Sequence, residues 1–418
     1  MRKLIPAILA FLLLAVLIAP VGAAKKTTIT FWQAGGDAVS SAVIRDIIKD
    51  FEAENPDIKV NFQAIPWGED PHVKFQVAIV GGTIADVFTV GDPFEHVLAA
   101  SNALEPLDGY ASKGMLADFY PVFIERGTFS GQLVSLPWFG TIRAMFYRKD
   151  LLAAAGVPEP TTSWTWDEFV TYAKKLTRDL NGDGVIDQYG FGTSGRYVSQ
   201  FQPFVKQNGV DFMDEDKEIV TANSPAAIEG IQFYVDLIRK HKVTPPGITT
   251  INLEEIQKMF AEGKVALFFD CEDTSQRFIN EPGLAGKFGV GLLPHNKKHA
   301  AFGGTDVIVM SKQSKNKEAA WKFFECMVSP KAMAAYCKAT GFSPARKSLA
   351  SHPDLNDPIR RAFAKQMELG GYFYFKHPKA GGISPLVRAE VQQAMEGDKT
   401  VEAAMNSLQK SLEDLIRK

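Results

Sequence analysis

Cysteine is scarce in this chain: three in 418 residues, at Cys271, Cys326 and Cys337. So few, in odd number, cannot form a disulfide framework. They leave open either one Cys326–Cys337 bridge or buried thiols. The seven histidines (His72, His96, His241, His295, His299, His352 and His377) do not fall at metal-ligand spacing. No GxxxxGK[ST] loop, GxGxxG fingerprint, HExxH or GxSxG elbow occurs, so the common signatures of nucleotide, dinucleotide, zinc-protease and serine-hydrolase chemistry are missing. Neither sign of charge dominates: 46 basic residues face 48 acidic ones, for a net charge of −2. That is no electrostatic footprint for nucleic acid. Internal repeats and low-complexity linkers are absent, and no apolar run beyond residue 24 approaches the ~20 residues that span a bilayer.

What is present begins at the N-terminus. Met1-Arg2-Lys3 supplies positive charge, Leu4 to Ala19 is almost wholly apolar, and Val21-Gly22-Ala23-Ala24 offers small residues before Lys25-Lys26. That order reads as a secretory signal over residues 1–24. No cysteine follows the run to carry a lipid. The expected mature chain, residues 25–418, is exported and soluble, periplasmic or at the cell surface, and monomeric.

Next the pattern alternates. Ile29 to Trp32 reads as a strand. A helix capped by Ser40 or Ser41 carries Val43, Ile44, Ile47, Ile48 and Phe51 at helical spacing, and Ile58, Val60 and Phe62 alternate as a strand. A helix over Val73–Val80 and a strand over Val87–Val90 continue the series. Strand, helix, strand, helix, strand predicts an α/β layer with a largely parallel sheet. Later, Ser224-Pro225 caps a helix, and helices over Leu253–Glu262, Glu318–Met327, Leu386–Met395 and Val401–Ile416 alternate with strands over Val265–Phe269 and Val307–Met310.

Two features carry chemistry. Asp179, Asn181, Asp183, Val185 and Asp187 stand at positions 1, 3, 5, 7 and 9 of a calcium loop, with Gly184 at the sharp turn and Gly190 where a bidentate Glu belongs. The same residues equally make an Asx-rich turn, so structural calcium and a plain turn both stay open, and no other cofactor is required. The second feature is tryptophan. Trp32, Trp67, Trp138 and Trp164 fall beside turn residues, where a ring exposed in a cleft would pack on the C–H face of a sugar. Trp166 and Trp321 fall in helical stretches and suit a core.

Six blocks then run in one order. They are Ile29-Thr30-Phe31-Trp32; Ala85-Asp86-Val87-Phe88; Gln132 to Pro137 with Phe146-Tyr147-Arg148-Lys149-Asp150-Leu151; Trp164-Thr165-Trp166-Asp167-Glu168-Phe169; Phe260 to Leu267; and Phe302-Gly303-Gly304-Thr305 with Ser311-Lys312, Lys317 to Trp321 and Gly341 to Arg346. Together they resemble the family-1 extracellular solute-binding proteins of ABC-type importers, in the maltodextrin- and trehalose/maltose-binding group. The resemblance implies a two-lobed periplasmic-binding-protein fold (type II-like), each lobe a largely parallel sheet flanked by helices. It implies an N-terminal lobe of residues 25–139 and 296–344 and a C-terminal lobe of 140–295 and 345–418. Hinge crossings are expected near Phe139–Thr141, Pro294–His299 and Pro344–Arg346. It further implies a receptor, not an enzyme, that closes on a sugar or small oligosaccharide and delivers it to membrane permease subunits.

The site residues carried over by the resemblance are Asp92 as a hydroxyl acceptor, Gln33 and Asp37 in the first ligand loop, and Trp67 after the second strand. Trp138, Phe139 and Thr141 fall where the hinge strand meets ligand, with Arg196 and Tyr197 beyond Phe191. Asp270, Glu272 and Asp273 stand in place of the stacking segment "NGPWAW". Gly303, Gly304 and Thr305 form a close-approach loop, and Arg388 is a cleft arginine. Two other readings remain: a secreted carbohydrate-active enzyme, or a receptor of the same fold for a polyol, glycerol phosphate or peptide. A phosphate would draw on Arg143 and Arg196.

Overall fold

The computed structural model describes residues 26–67, 71–91, 94–160, 162–214, 218–372 and 379–417, so the signal expected over residues 1–24 lies outside the described residues. Within them, the strand Thr27–Ala34 turns Ile29 and Phe31 into a core, and the helix Ala38–Glu54 covers it with Ile44, Ile47, Ile48 and Phe51. This helix starts earlier than expected. Asp37, not Ser40 or Ser41, is its cap: its carboxylate accepts the Ser40 N–H at 2.7 Å while the Ser40 hydroxyl accepts the Asp37 N–H at 2.9 Å. Both orphan donors are met at once.

Strand Ile58–Ile65 lies parallel to Thr27–Ala34 on one side, and strand Val87–Gly91 lies parallel to it on the other. The long strand Ala301–Met310 then pairs antiparallel with both Val87–Gly91 and Leu136–Ile142, and Gly371–Tyr372 adds a short parallel edge. The second sheet runs Phe288–Gly291, Ala144–Arg148, Val265–Asp270, Tyr189–Gly192.

The α/β class stands, but the expectation of a largely parallel sheet holds only for the first three strands of the first lobe. In the second sheet only the Val265–Asp270 and Tyr189–Gly192 pair is parallel; its other two pairings are antiparallel. Ala144–Arg148, entered from Leu136–Ile142 of the first sheet through Arg143 alone, lies between Val265–Asp270 and Phe288–Gly291 and runs antiparallel to both.

Two main cores result. Phe31, Phe51, Trp138, Phe323 and Tyr336 lie in one, with a satellite around Phe75 and Phe88 on the other face of the same sheet. Phe146, Phe169, Phe191, Phe204 and Phe269 lie in the other. Core membership places the third passage later than Pro344–Arg346. Ala345, Leu349 and Leu355 pack in the first core, and Phe363 is in the second. Arg346 holds this extra stretch down. Its guanidinium donates to Asp118 at 2.9 Å and to the Val328 carbonyl at 2.7 Å, and lies 4.0 Å from the Phe119 ring centre.

The tail helices Ala380–Glu396 and Val401–Arg417 pack on each other and on Pro225–Arg239 in the second lobe. All three cysteines are free thiols, so the Cys326–Cys337 bridge is not made. Among the described residues no helix is long and apolar enough to cross a membrane.

Candidate ligand cleft

In wound α/β sheets ligands collect beyond the carboxyl ends of the parallel strands. Here those ends are marked by glycine. A Cβ at Gly35 would sit 2.0 Å from the Trp67 indole nitrogen, and one at Gly91 would sit 3.1 Å from the ring's far carbon. Trp67 therefore lies against both strand ends, an approach only bare backbone permits. Gly35 also takes φ of +71°, a region L side chains rarely enter. Trp67 is 49% exposed. Its ring meets His72 edge-on at 5.5 Å, and His72 stacks on Phe94 at 4.1 Å. Asp306 reaches the same spot, with a carboxylate oxygen 3.7 Å from a Cβ placed at Gly91.

Beside this platform lies Tyr336, almost fully buried. Its hydroxyl accepts from the Gln33 amide at 3.4 Å, and its ring lies tilted against Trp138 with centroids 4.0 Å apart. Its pKa is pushed well up, first by burial and then by nearby negative groups that include Asp306, Asp37 and Asp273. Carboxylates of both lobes thus share one neighbourhood. Asp37 is exposed, and Asp273 keeps 37% of its side chain in solvent. Partial burial and the neighbouring Asp270 charge both push the Asp273 pKa up.

The second-lobe wall rests on Asp270, 4% exposed. It accepts from Arg143 at 3.0 Å, Gln257 at 2.6 Å, the Thr274 hydroxyl at 3.1 Å and the Cys271 N–H at 2.9 Å. Tyr197 is half-buried; burial and the Glu254 charge raise its pKa, and Arg196, Arg143 and Asp270 are close enough to act on it. Arg196 is exposed. Arg388 is exposed too, one turn before Gln392, whose amide donates to the Gly195 carbonyl at 3.2 Å. The helix that carries both runs beside Phe94–Ala100 of the first lobe, so the lobes meet along one edge of the cleft.

Trp67 stands at the strand ends of the first sheet, Gln33 bonds Tyr336, and Asp37 and Asp273 both act on Tyr336; Tyr197 lies near Asp270 and Arg143, and Arg196 and Arg388 are exposed. Other expected residues serve the fold. The Trp138 and Phe139 rings are enclosed in the first core, Phe139 stacked on Phe342 at 4.0 Å, and offer no open face. Gly303, Gly304 and Thr305 are not a loop. They are strand residues in register with Ile142, Thr141 and Gly140, and the Thr305 hydroxyl donates to the Phe139 carbonyl. Thr141 and Glu272 bond to each other at 2.6 Å. Asp92 lies outside the described residues. His72, Phe94, Asp306 and Tyr336 were not anticipated. Asp306 stood one residue past the Gly303-Gly304-Thr305 block, but Tyr336 sits mid-helix with nothing local to distinguish it.

The 179–187 loop turns its side chains on its own backbone. Asp179 accepts from Gly182 at 2.7 Å and Gly184 at 2.8 Å, Asn181 from Asp183 at 2.9 Å, Asp183 from Val185 at 2.8 Å, and Asp187 from Leu180 at 2.8 Å. Among the described residues no three His, Cys, Asp or Glu converge to hold a metal.

A two-lobed α/β receptor with a cleft at the seam is the class these features define. Residues 35–334 match the model of the family described as bacterial extracellular solute-binding protein, and the chain belongs to that family. A Brucella abortus binding protein is 30% identical over 319 residues, 75% of each chain. The maltotriose-binding protein of Pyrococcus abyssi is 24% identical over 383 residues, 88% of this chain and 78% of the relative. A solved Listeria monocytogenes ABC substrate-binding protein in complex with cycloalternan superposes with a TM-score of 0.84 at 25% identity, covering 94% of this chain and 99% of that one.

Proposed function

We propose that this chain is the exported, monomeric receptor of an ABC importer, and that it captures a sugar or short oligosaccharide between its lobes and hands it to the permease without catalysis. The observation that carries this reading is the Trp67 platform, half exposed at the strand ends beside Asp306. An indole face suits the C–H face of a pyranose, and a carboxylate accepts from two hydroxyls at once through strong, charge-assisted bonds. Asp92 is assigned the same acceptor role by its place after the Val87–Gly91 strand. Contacts made better with the lobes together would shift the population toward the closed form. A phosphate ligand is less well served, because Arg143 is already paired with Asp270.

The test is a thermal melt against mono-, di- and oligosaccharides, with polyols, phosphates and peptides alongside. A ligand at a hundredfold excess over its Kd stabilises the native state by about 2.7 kcal/mol, so one sugar class is expected to raise Tm. A shift only with a phosphate or peptide overturns the carbohydrate reading, and oligosaccharide cleavage by the pure protein overturns the receptor reading. Trp67→Ala is expected to weaken sugar binding by about 2 kcal/mol, the scale of a Trp anchor in a binding site, with Tm of the ligand-free protein nearly unchanged.

We propose that the 179–187 loop serves the fold as a turn, because backbone N–H groups of the loop bond to side-chain oxygens of Asp179, Asn181 and Asp183. Millimolar calcium is expected to leave the melt of the chelator-treated protein unmoved, and an upward shift would reinstate a structural ion.

A further inference from the structure

Glu272 is the first residue of the second-lobe helix Glu272–Ile279, yet its carboxylate reaches the connection between the lobes. It is 1% exposed. It accepts the Thr141 hydroxyl at 2.6 Å, the Ile142 N–H at 3.1 Å and the Ser343 hydroxyl at 3.1 Å. Thr141 and Ile142 belong to the first passage between the lobes. Ser343 is bonded to Gly140 through both backbone groups, at 2.8 and 3.1 Å. One carboxylate thus joins a second-lobe helix to two first-lobe segments where any relative rotation must turn. Helix and first-lobe backbone also approach closely here: a Cβ at Gly341 would sit 3.0 Å from the Glu272 carbonyl.

Its surroundings do little to neutralise it. It borders a cavity of about 350 Å³ lined by Phe123, Ile142, Leu355, Phe363 and Met367. Charged and titratable groups on the elements packed around it include Tyr120, Arg360 and Glu368 at that cavity, Tyr336, Cys337 and Lys338 on the helix Pro330–Thr340, Arg277 on its own helix, and its chain neighbours Asp270, Cys271 and Asp273. Arg360 is engaged elsewhere, with Asp357 and the Cys337 carbonyl. Arg143, next to Ile142, is paired with Asp270.

We propose that Glu272 is a positioning residue: it sets the balance between the lobe arrangement seen here and a wider one, and so tunes ligand affinity without touching ligand. A rotation that draws Thr141, Ile142 and Ser343 away from the helix wets the carboxylate. Burial is the strongest influence on the group and raises its pKa to about 7, more than its hydrogen bonds lower it. The anion therefore favours the wider arrangement, and the protonated acid favours the one seen here. The Thr141 and Ser343 hydroxyls can turn to accept the acid's proton.

The ligand-free whole chain and its Glu272→Gln variant are compared by small-angle X-ray scattering at pH 8 and pH 6, with maltotriose as the binding probe. The wild type is expected to contract as pH falls, whereas E272Q holds one compact radius at both pH values. At pH 8 E272Q binds maltotriose more tightly, by about tenfold for each unit of pKa difference between the two arrangements, and the gap closes toward pH 6. An E272Q variant with the wild type's pH response overturns the proposal and assigns the contraction to Asp273 or another group. Should E272Q not fold, Thr141→Val serves: losing a bond that holds the anion in the compact arrangement is expected to lower the compact fraction at pH 8, and an unchanged radius there overturns the proposal. Only the affinity arm rests on the sugar-receptor reading. If neither protein binds maltotriose, that reading is at fault for this sugar, and scattering alone decides the role of Glu272.

Discussion

Asp270→Ala is expected to cost about 3–5 kcal/mol of stability, the range for breaking a buried ion pair by removing one partner. The argument lies in what remains. Asp270 is met from four directions, by Arg143, Gln257, Thr274 and the Cys271 backbone. Truncation leaves the guanidinium of Arg143, a residue only 8% exposed, without the carboxylate it pairs with at 3.0 Å. Denaturant unfolding checks this: the midpoint should fall with the slope nearly constant, since the unfolded chain exposes the same surface. Asp270→Asn retains shape and part of the bonding, so its loss should be smaller. The alternative, a direct ligand role for Asp270, predicts the reverse pattern for Asn, with sugar affinity falling while the unfolding midpoint stays near wild type.

Melting temperature should rise, not fall, as pH is lowered from 8 toward 5.5, and Glu272 should be the main cause. Its folded pKa of about 7 stands above the 4.5 of an unperturbed glutamate. A raised folded-state pKa means that the stabilising contribution is fully present below pH 4.5 and is lost as pH rises through 7. Across that window the difference amounts to roughly 3 kcal/mol at most. Asp273 acts in the same direction but is far more exposed, so water screens most of its effect. Groups shifted the other way oppose the rise: His241 and His299, held below the ordinary imidazole value by burial, lose stability as pH falls through that range, whereas Asp118 beside Arg346 and Ser348 does so only below the ordinary carboxylate range. E272Q should remove most of the rise between pH 8 and 5.5. A variant that keeps it assigns the rise elsewhere.

How far the site could be read from residues divides along a physical line. Trp67 was legible because a large ring between turn residues, after a strand of an α/β layer, has few places to go except a strand-end crevice. Trp138 had the same credentials, a tryptophan beside proline at a strand end. Strand Ala301–Met310, arriving from far along the chain, enclosed its surroundings, and Tyr336 covered its ring. Glu272 and Asp273 are neighbours in one acidic run with opposite fates. At the start of a helix adjacent residues point apart, so one carboxylate meets the hinge strand and the other the cleft. No local pattern says which.

By itself the sequence determined the family order of blocks, the alternation of strand and helix, and the cap at Ser224, because these depend on residues a few positions apart. Hydrophobic period, turn chemistry and capping are short-range physics, and the structure keeps them. The tertiary structure alone decided the antiparallel pairings of the second sheet, the passage beyond Leu355, and the division of labour between Asp270, Glu272 and Asp273. Each of these depends on which distant segment supplies the facing donor or the facing ring. Those partners, Thr141 and Ser343 for Glu272 and Arg143 for Asp270, stand 131, 71 and 127 residues away along the chain.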